Sequence, residues 1–415
     1  MNLIFKEYIK FLKDNNCIYD LKEGYYWLDR QIIKAYDTKG NLHKILKINI
    51  DDRLNIRFKY YPEESFDIES WHDTAIRNKS KLLKLEYESL DLIKNKIKEY
   101  ENHTPTVLTS GGKDSTVTSY LVKKVINNPL HIFNNTSLDC ADTYLHIKNE
   151  KNLKIINPKE GFYQWRARNN FVGNRMARAC CTIFKEGAMV QTLNKDDKYI
   201  FFMGMRNQES NTRSNYGDVW CNDKWGKREW VGILPIRKWS EEDIWLYIIL
   251  NNIEINKKYK KGYARVGCAI ACPYYTKSTW VLDKYWYNTM YKRWHRILEK
   301  DFIENKKASV LNCTLDEYHI CWNGGLYRDT PTDEVILEFS NQQNLEYDIA
   351  KKYFNKKCSC GKKLKKDDIA LSMKFYGRNI ENFKCMNCIS EDIGYTKKEL
   401  KEKINEFKND GCALF

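Results

Sequence analysis

The stretch TVLTSGGKDSTVTSYLVKKV, residues Thr106–Val125, gives the strongest indication of how this chain folds. Its first residues form a short apolar and β-branched run typical of a buried strand, and Val117, Leu121 and Val125 recur at the spacing of a helix face. The polar segment Ser110–Ser115 (SGGKDS) therefore connects the end of a strand to the start of a helix. Backbone N–H groups at such a junction point toward one spot, and this geometry suits a bound phosphate group.

The residue types in Ser110–Ser115, which we call the glycine loop, fit contact with an anion. Gly111 and Gly112 permit a positive φ and a close approach of the backbone. Lys113 adds a positive charge, and the hydroxyl groups of Ser110 and Ser115 add hydrogen-bond donors. The glycine loop therefore predicts a nucleotide-binding site. A glycine turn that only connects the strand to the helix is the alternative.

Asp114 suits either of two roles in this loop: a cap for the helix, or a ligand for a Mg²⁺ ion that bridges the phosphates of ATP. The loop differs from the motif G-x-x-x-x-G-K-[ST], because Val107 occupies the position of the first glycine and Asp114 follows Lys113. We expect Lys113 and Asp114 to face solvent. Replacing either residue with alanine should then weaken nucleotide binding without unfolding the protein.

Strand-like and helical patterns alternate around the glycine loop, over residues 101–275. This alternation predicts an α/β domain with a doubly wound, mostly parallel sheet. Residues 1–100 predict an N-terminal α+β accessory unit, in which polar and apolar residues alternate as in a small antiparallel sheet, with a turn at Thr38–Asn41. Residues 276–350 predict a helical extension, and residues 351–415 a basic C-terminal module built around four cysteines.

The composition is that of a globular protein. Of the 415 residues 42% are hydrophobic and 30% are charged, which argues against a disordered chain. We find no apolar run of the length that spans a bilayer, and the first residues predict an amphipathic helix rather than a signal peptide. We therefore expect a cytoplasmic protein with no membrane partner. The net charge of +15 fits nucleotide or nucleic-acid partners, and equally a lysine-rich surface.

Fourteen cysteines without a secretion signal indicate metal binding rather than disulfides. Cys358 and Cys360 (C-x-C) are separated by 24 residues from Cys385 and Cys388 (C-x-x-C), which predicts a structural zinc site. Gly361 suits the turn of a zinc knuckle. Residues 351–415 contain 16 basic and 9 acidic residues, so this module could clamp nucleic acid. We favour the interpretation that zinc only stabilises the fold of this small domain.

Five further segments, taken together with the glycine loop, resemble one known family. They are NNTSLDCADTYLHI (Asn134–Ile147), ARACCTIFK (Ala177–Lys185), GMRNQESNTR (Gly204–Arg213), PIRKWSEEDIWLYI (Pro235–Ile248) and YKKGYARVGCAIACP (Tyr259–Pro273). The chain resembles the phosphoadenosine phosphosulfate (PAPS) reductase family of the adenine nucleotide α-hydrolase superfamily over residues 105–275.

This resemblance implies an adenine nucleotide, either ATP or a sulfonucleotide such as PAPS or adenosine phosphosulfate (APS), at the carboxyl ends of the strands. It implies that Asn135, Arg206, Ser210 and Arg213 join the glycine loop in nucleotide binding. Guanidinium groups suit sulfate and phosphate oxygens, so Arg206 and Arg213 would face the anionic end of the nucleotide. Lys113, Asp114, Arg206 and Arg213 are then the candidate catalytic residues.

A second implication of the resemblance is a four-iron four-sulfur cluster held by Cys180, Cys181, Cys268 and Cys272. Thiolates are the usual ligands of such clusters, and Lys185 would lie near the cluster or the substrate. This chain departs from the family pattern, because three residues rather than two separate Cys268 from Cys272. Zinc on the same sulfurs and packed thiols are the alternatives.

Three reactions follow from these features. The first is reduction of a sulfonucleotide, for which the family uses a thiol near the C-terminus and a thiol reductant protein; Cys412 is the candidate here, although a docked tail after a helix that stops at Gly411 is the favoured alternative. The second is cleavage of ATP to adenylate a nucleic acid for sulfur insertion, which the complete SGGKDS loop favours. The third is a non-catalytic nucleotide sensor or nucleic-acid adaptor.

Overall fold

The computed structural model describes the whole chain except residues 63–65, 174–179, 223–224, 269, 306–312, 324–357, 363, 378–379, 381, 411 and 413. Much of the predicted helical extension, the start of the basic module and Gly411 therefore lie outside the described residues. The chain forms two compact units. The first contains Met1–Trp165, Cys180–Ala271 and Ser278–Asn288, and the second contains Arg166–Ala179, Cys272–Lys277 and Thr289–Phe415.

The first unit begins with a five-stranded antiparallel sheet. Its strands follow in chain order: β1 (Asn2–Leu3), β2 (Tyr26–Asp29), β3 (Ile32–Tyr36), β4 (Leu42–Ile50) and β5 (Ile56–Tyr60). The turn between β3 and β4 closes with a hydrogen bond from the Gly40 N–H to the Asp37 carbonyl, and Gly40 has a φ of +85°. The alternating sequence thus indicated this sheet correctly. A role of residues 1–100 as an accessory domain stays a prediction.

Three helices accompany this sheet: α1 (Lys6–Asp14), α2 (Trp71–Arg77) and α3 (Lys79–Glu99). The buried side chains of α2 and α3 belong to the same apolar core as those of the glycine-loop domain. Trp71 and Leu82 lie in this core with Val117, Leu121 and Trp245. Residues 1–100 and the α/β sheet therefore form one compact unit, and the four-domain division of the chain stays a prediction.

The α/β sheet has six strands: β6 (Thr104–Thr109), β7 (Leu130–Asn134), β8 (Leu153–Ile156), β9 (Tyr199–Met203), β10 (Val219–Trp220) and β11 (Trp230–Ile233). Their order is β10-β11-β9-β6-β7-β8. Five strands are parallel, and β10 pairs antiparallel at one edge. The predicted mostly parallel α/β sheet is confirmed. All five residues of β9 are buried, as expected for a strand that helices cover on both faces.

The helices in this part of the chain are α4 (Lys113–Lys123), α5 (Ala141–Ile147), α6 (Phe162–Arg168), α7 (Ala188–Thr192), α8 (Asn211–Ser214), α9 (Glu241–Leu250), α10 (Lys257–Lys260) and α11 (Lys277–Trp286). Of these, α11 packs into the core of the antiparallel sheet through Val281 and Leu282. A π-helical segment, Cys181–Gly187, precedes α7. From β6 the chain proceeds to β7 and β8 on one side, and it later returns to β9 on the other side. The strand order thus reverses between β6 and β9, where open α/β sheets bind ligands at the carboxyl ends of their strands.

The second unit is helical where it is described. Its helices are α12 (Asn288–Glu304), α13 (Leu315–Cys321), α14 (Lys366–Tyr376), α15 (Met386–Ile393) and α16 (Lys397–Asn409). Capping boxes at Thr314 and Thr396 fix the starts of α13 and α16. Within the described parts of the chain, we find no helix that is both long enough and apolar enough to cross a membrane.

Candidate functional site

The glycine loop joins β6 to α4 as predicted. Gly111 has a φ of +70°, and a Cβ atom at this residue would lie 3.0 Å from the Thr143 Cγ2 atom. The Ser115 hydroxyl accepts a hydrogen bond from the Ser110 N–H at 3.2 Å and donates one to the Gly112 carbonyl at 2.9 Å. Hydrogen bonds of Ser110 and Ser115 therefore stabilise the conformation of the loop. The positive φ and the close contact with Thr143 require glycine at position 111.

Lys113 is buried, with only 4% of its surface exposed. Its Nζ atom lies 3.0 Å from Asp114 Oδ2 and 3.2 Å from Glu241 Oε1, and the rings of Trp245 and Tyr259 flank it at 6.0 and 5.9 Å. The prediction that Lys113 faces solvent is therefore wrong. The cause is the two aromatic rings, which α9 and α10 bring to the loop from distant parts of the chain.

The charges around Lys113 compensate one another. Burial by itself would lower the pKa of the Lys113 ammonium, but the Tyr259 hydroxyl and the Asp114 and Glu241 carboxylates outweigh burial and raise this pKa. For Asp114, burial acts to raise the pKa, and the Lys113 and Arg206 cations outweigh it, so the pKa is lowered. Lys113 and Asp114 are therefore both charged at neutral pH.

Arg206 brings the segment after β9 onto the glycine loop. Its Nε atom donates to Asp114 Oδ1 at 2.5 Å, although the two residues are 92 positions apart. Arg206 is 5% exposed, and its buried Nη1 atom has no hydrogen-bond partner among the residues that the structure describes. Buried donors are nearly always paired. The Arg206 Nη1 donor, which has no acceptor among the described residues, therefore lies beside the loop that was predicted to bind an anion.

Gly204 permits this approach between β9 and α4. A Cβ atom at Gly204 would lie 2.6 Å from the Asp114 carbonyl carbon and 2.7 Å from the Ser115 nitrogen. Both are backbone atoms of the first turn of α4, which cannot move without moving the glycine loop.

We predict that Gly204→Ala destabilises the protein by about 1–3 kcal/mol, as overpacking of a tight contact does. The displaced first turn of α4 should also weaken nucleotide binding. Chemical denaturation and calorimetric titration measure the two effects. Gly161→Ala is the matched control, since its added Cβ atom would meet only side-chain atoms at 3.8 and 3.9 Å. Equal stability of the two variants would contradict the prediction.

Ser210 and Arg213 lie further along the same segment. The Ser210 hydroxyl accepts a hydrogen bond from the Arg213 N–H at 3.2 Å and caps α8. The Arg213 side chain is 36% exposed, and its Nη1 atom forms an ion pair with Glu209. Of the two predicted arginines, Arg206 thus contacts a glycine-loop residue directly, whereas Arg213 pairs with Glu209, which lies just before α8. A nucleotide contact of Arg213 and Ser210 stays a prediction.

Asn135 directly follows β7, the strand next to β6. Its Oδ1 atom accepts hydrogen bonds from the Tyr144 hydroxyl at 2.6 Å and the Ser137 N–H at 2.8 Å, and its Nδ2 atom donates to Asn157 at 2.7 Å. These contacts fix the amide at the carboxyl edge of the sheet. They place Asn135 on the same edge as the glycine loop, as a nucleotide-binding role requires.

Cys268 reaches the same edge of the sheet. Its Sγ atom lies 3.9 Å from the Thr136 hydroxyl, which in turn donates to Asp139 at 2.7 Å. Burial raises the pKa of Asp139, against hydrogen bonds from Thr136 and the charges of Lys258 and Lys185. One thiol of the predicted iron–sulfur set therefore lies beside strand ends that carry polar and charged groups.

The other three predicted iron–sulfur ligands lie on different elements. Cys181 begins the π-helical segment and Cys180 precedes it. π-Helical turns are rare and often occur at functional sites. Cys180, Cys181 and Cys268 belong to the first unit and Cys272 to the second, and residues 177–179 of the cysteine-pair segment lie outside the described residues. The assignment of these four thiolates to a cluster stays a prediction.

The four C-terminal cysteines come together in the second unit. Their sulfur atoms lie within 4.8 Å of one another, with separations of 3.6 Å for Cys358–Cys388, 3.6 Å for Cys360–Cys385 and 3.7 Å for Cys385–Cys388. A tetrahedral ion with Zn–S bonds of 2.3 Å has sulfurs about 3.8 Å apart. In a four-iron cluster each thiolate binds a different iron, so the sulfurs are farther apart. This tetrad therefore fits a single ion.

Gly361 occupies the turn between the first two of these cysteines and the following helix. It has a φ of +84°, and its N–H donates to the Cys358 carbonyl at 2.8 Å. This is the knuckle turn that the sequence predicts for Gly361.

Cys412 packs within the second unit. Its Sγ atom lies 3.4 Å from Lys374 Nζ, and the Phe415 ring stacks on Phe407 of α16 at 5.2 Å. The tail thus docks on the helix that precedes it. A catalytic role of Cys412 stays a prediction.

The sequence did not predict three residues at the glycine loop: Glu241, Asn256 and Tyr259. Asn256 is buried, and its Nδ2 atom donates to the Gly111 carbonyl at 3.2 Å and to Thr143 Oγ1 at 3.3 Å. The Tyr259 hydroxyl accepts a hydrogen bond from the Lys113 N–H at 2.9 Å. Glu241 and Tyr259 lie within two of the segments that carry the family resemblance, which is the signal that could have identified them.

Comparison with known proteins yields one matching family model and several relatives. The model of the phosphoadenosine phosphosulfate reductase domain matches residues 104–273. An uncharacterised protein of Methanocaldococcus jannaschii is 30% identical over 240 residues, which cover 56% of this chain and 57% of that protein. This chain thus corresponds to little more than half the length of that relative.

Two relatives carry the names of enzymes. An adenosine 5'-phosphosulfate reductase of Halalkalibacterium halodurans is 28% identical over 188 residues, which cover 44% of this chain and 79% of that enzyme. A sulfate adenylyltransferase subunit 2 of Buchnera aphidicola is 28% identical over 212 residues, which cover 44% of this chain and 68% of that subunit.

Proposed function

Because residues 104–273 make this chain a member of the PAPS reductase family of the adenine nucleotide α-hydrolase superfamily, we propose that it is an enzyme of adenine-nucleotide-dependent sulfur transfer. The phosphates or the sulfate of the nucleotide would lie on the glycine loop, at the N-terminus of α4. The base and ribose would extend along the carboxyl ends of β6 and β7, where Asn135 is fixed.

The buried Nη1 donor of Arg206 is the observation that carries this proposal. Glu241 and Asp114 offset most of the charge of Lys113, Arg206 and the Met1 ammonium, which binds Glu241 at 2.6 Å. The site therefore attracts an anion mainly through hydrogen-bond donors rather than through a large net charge. The helix dipole of α4 and a guanidinium fork supply such donors. An anionic ligand would provide the acceptor that Nη1 lacks among the described residues.

The reaction we propose first is reduction of a sulfonucleotide. A protein thiolate attacks the sulfate sulfur, an S–S bond forms, and the bond from this sulfur to the nucleotide phosphate oxygen breaks. The nucleotide leaves with the electron pair, and the thiol becomes an S-sulfocysteine. A second thiol, supplied by a reductant protein, then releases sulfite as a disulfide forms. Arg206 would hold the anionic group in place during the attack.

Cleavage of ATP to pyrophosphate is the second candidate, and the complete loop favours it. The loop keeps Asp114 beside Lys113, and one relative is named as a sulfate adenylyltransferase subunit. A Mg²⁺ ion bridging the phosphates would compete with Lys113 and Arg206 for the Asp114 carboxylate, since both oxygens of this group are engaged. The adenylated acceptor would then receive sulfur, and a nucleic acid is the acceptor we propose.

One product assay separates the two reactions. Protein purified without oxygen is incubated with PAPS, APS or ATP, and sulfite and pyrophosphate are measured. Sulfite from PAPS or APS supports reduction, and pyrophosphate from ATP supports adenylation. Absence of both products, with a reductant and Mg²⁺ present, would contradict the proposed enzyme. Cys412→Ser in the same assay tests whether Cys412 supplies the attacking thiol.

Metal binding forms a further part of the proposal. Cys180, Cys181, Cys268 and Cys272 offer the thiolates that iron–sulfur clusters use, and a bound cluster supplies an electron-carrying centre. Iron analysis and absorbance near 400 nm of the anaerobic protein test this assignment. The tetrad Cys358, Cys360, Cys385 and Cys388 would hold zinc, which supplies folding energy rather than chemistry.

We predict that the double variant Cys385→Ser, Cys388→Ser loses about one zinc ion per chain. Because a structural zinc stabilises a small module, residues 351–415 should then become sensitive to protease. Metal analysis and limited proteolysis measure these effects, with the exposed Cys221→Ser as the matched control. Unchanged zinc content or a resistant tail would contradict the assignment. A loss of nucleic-acid binding in the same variant would show that the module also binds nucleic acid.

A further inference from the structure

Tyr259 of α10 contacts the glycine loop. It is 3% exposed, and its hydroxyl oxygen accepts a hydrogen bond from the N–H of Lys113, the first residue of α4, at 2.9 Å. A Cβ atom at Gly112 would lie 3.4 Å from the same oxygen. Asn256, at the N-cap of α10, holds the Gly111 carbonyl. The Tyr259 hydroxyl is therefore fixed where the loop meets its helix.

This hydroxyl has a hydrogen atom left to donate. The oxygen accepts hydrogen bonds from the backbone N–H groups of Lys113 and Val266, and among the described residues we find no acceptor for the hydroxyl hydrogen. The nearby Asp114 carboxylate is occupied by Lys113 and Arg206. A buried donor hydrogen that lacks an acceptor costs roughly 1–3 kcal/mol. A hydroxyl kept in such a position therefore points to an acceptor that a ligand supplies.

The ring of Tyr259 is held independently of its hydroxyl. It packs edge-on against Trp245, with ring centroids 5.2 Å apart and planes at 90°. It also faces the Lys113 ammonium at 5.9 Å. These contacts stay intact when only the oxygen is removed, so Tyr259→Phe keeps the ring in place while it removes the hydroxyl, both as a donor and as the acceptor for the N–H groups of Lys113 and Val266.

We propose that the Tyr259 hydroxyl donates a hydrogen bond to an anionic oxygen, a phosphate or sulfate oxygen of the nucleotide on the glycine loop. This inference rests on the proposed function and adds a residue to its binding site. Tyr259 and Arg206 then offer two buried donors to the anion, one from α10 and one from the segment after β9. The donors converge from two sides of the loop on the group that α4 attracts.

The test compares wild-type protein with Tyr259→Phe by calorimetric titration with ATP and with inorganic pyrophosphate. A hydrogen bond to a charged acceptor is lost, so both affinities should fall roughly tenfold or more. Circular dichroism checks that the variant is folded. Tyr120→Phe is the matched control, since the Tyr120 hydroxyl of α4 pairs with Asn251 at 3.5 Å, and we expect wild-type affinities for it.

Unchanged affinities in Tyr259→Phe, or a loss for ATP without a loss for pyrophosphate, would overturn the inference. If wild-type protein binds neither of these ligands and does not bind APS or PAPS in the same titration, the proposed function fails as well, which separates the two failures. A chain with 3-fluorotyrosine at position 259 keeps the hydroxyl and provides a second readout. Its ¹⁹F resonance should shift when pyrophosphate is added, and an unmoved resonance would contradict the contact.

Discussion

Lys113→Ala is expected to destabilise the whole fold as well as to impair nucleotide binding. The Lys113 ammonium is buried between Asp114 and Glu241. Alanine would remove the cation that these carboxylates share, although Asp114 keeps Arg206 and Glu241 keeps the Met1 ammonium. Breaking a buried ion pair from one side costs about 3–5 kcal/mol when the remaining charge is uncompensated, so we expect a loss near the lower end of this range, about 3 kcal/mol. Urea denaturation of wild type and variant, monitored by tryptophan fluorescence, measures the free energy of unfolding.

The matched control is Lys123→Ala, which removes a lysine from the same helix. The Lys123 side chain is 44% exposed and pairs with Glu150, and exposed pairs contribute about 1 kcal/mol or less. If Lys113→Ala and Lys123→Ala lose similar amounts of stability, Lys113 does not hold the charges together as the structure indicates. This expectation replaces the one drawn from sequence, which treated Lys113 as a solvent-facing binding residue only.

Arg206→Ala is expected to reduce affinity for ATP or a sulfonucleotide by roughly tenfold to a hundredfold. The variant removes the Nη1 donor and the Nε bond to Asp114. Hydrogen bonds from charged donors contribute about 1.5–3 kcal/mol, and each 1.4 kcal/mol is a tenfold change in affinity. Calorimetric titration with ATP, APS and PAPS measures the loss and shows which nucleotide depends most on the guanidinium.

Arg77→Ala serves as the control for this substitution. Arg77 also binds a carboxylate, with its Nη2 atom 2.6 Å from Glu69 Oε2, but in α2 rather than at the glycine loop. It should bind nucleotide as the wild type does. An Arg206→Ala variant with wild-type affinity would show that the buried Nη1 atom does not contact the ligand. The main observation that supports the proposed function would then be contradicted.

Much of the α/β sheet could be predicted because each strand can be identified from residues that are neighbours in the sequence. Tyr199–Met203 is a continuous apolar run between polar turns, and the glycine loop follows an apolar strand directly. Strand, loop and helix N-terminus are set by neighbours in sequence. The same holds for the knuckle turn at Gly361 and for the cysteine pairs, whose spacing brings four sulfurs together.

The features that the sequence did not reveal depend on contacts between distant residues. Lys113 is buried because Trp245 and Tyr259 cover it, more than a hundred positions along the chain. The need for glycine at position 204 arises only from the backbone of α4 against it. Both facts concern packing between elements, which local patterns do not encode.

The division into two units is a further example. Residues 272–277 belong to the second unit although they continue the α/β segment in sequence. The buried Asn323 side chain donates to the carbonyls of Pro273 at 2.9 Å and Tyr275 at 2.8 Å. A change in composition along the chain, such as the basic region from residue 351, cannot indicate a grouping that rests on such contacts.

Hydrogen–deuterium exchange of the wild-type protein, with and without saturating ATP, tests most directly whether the glycine loop binds the nucleotide. Phosphates bound at the N-terminus of α4 would cover the amides of the glycine loop, and Arg206 would be held by the same group. We predict slower exchange with ATP at residues 110–115 and 204–206, and unchanged exchange in the antiparallel sheet of β1–β5. Binding of ATP without protection at residues 110–115 would contradict the account.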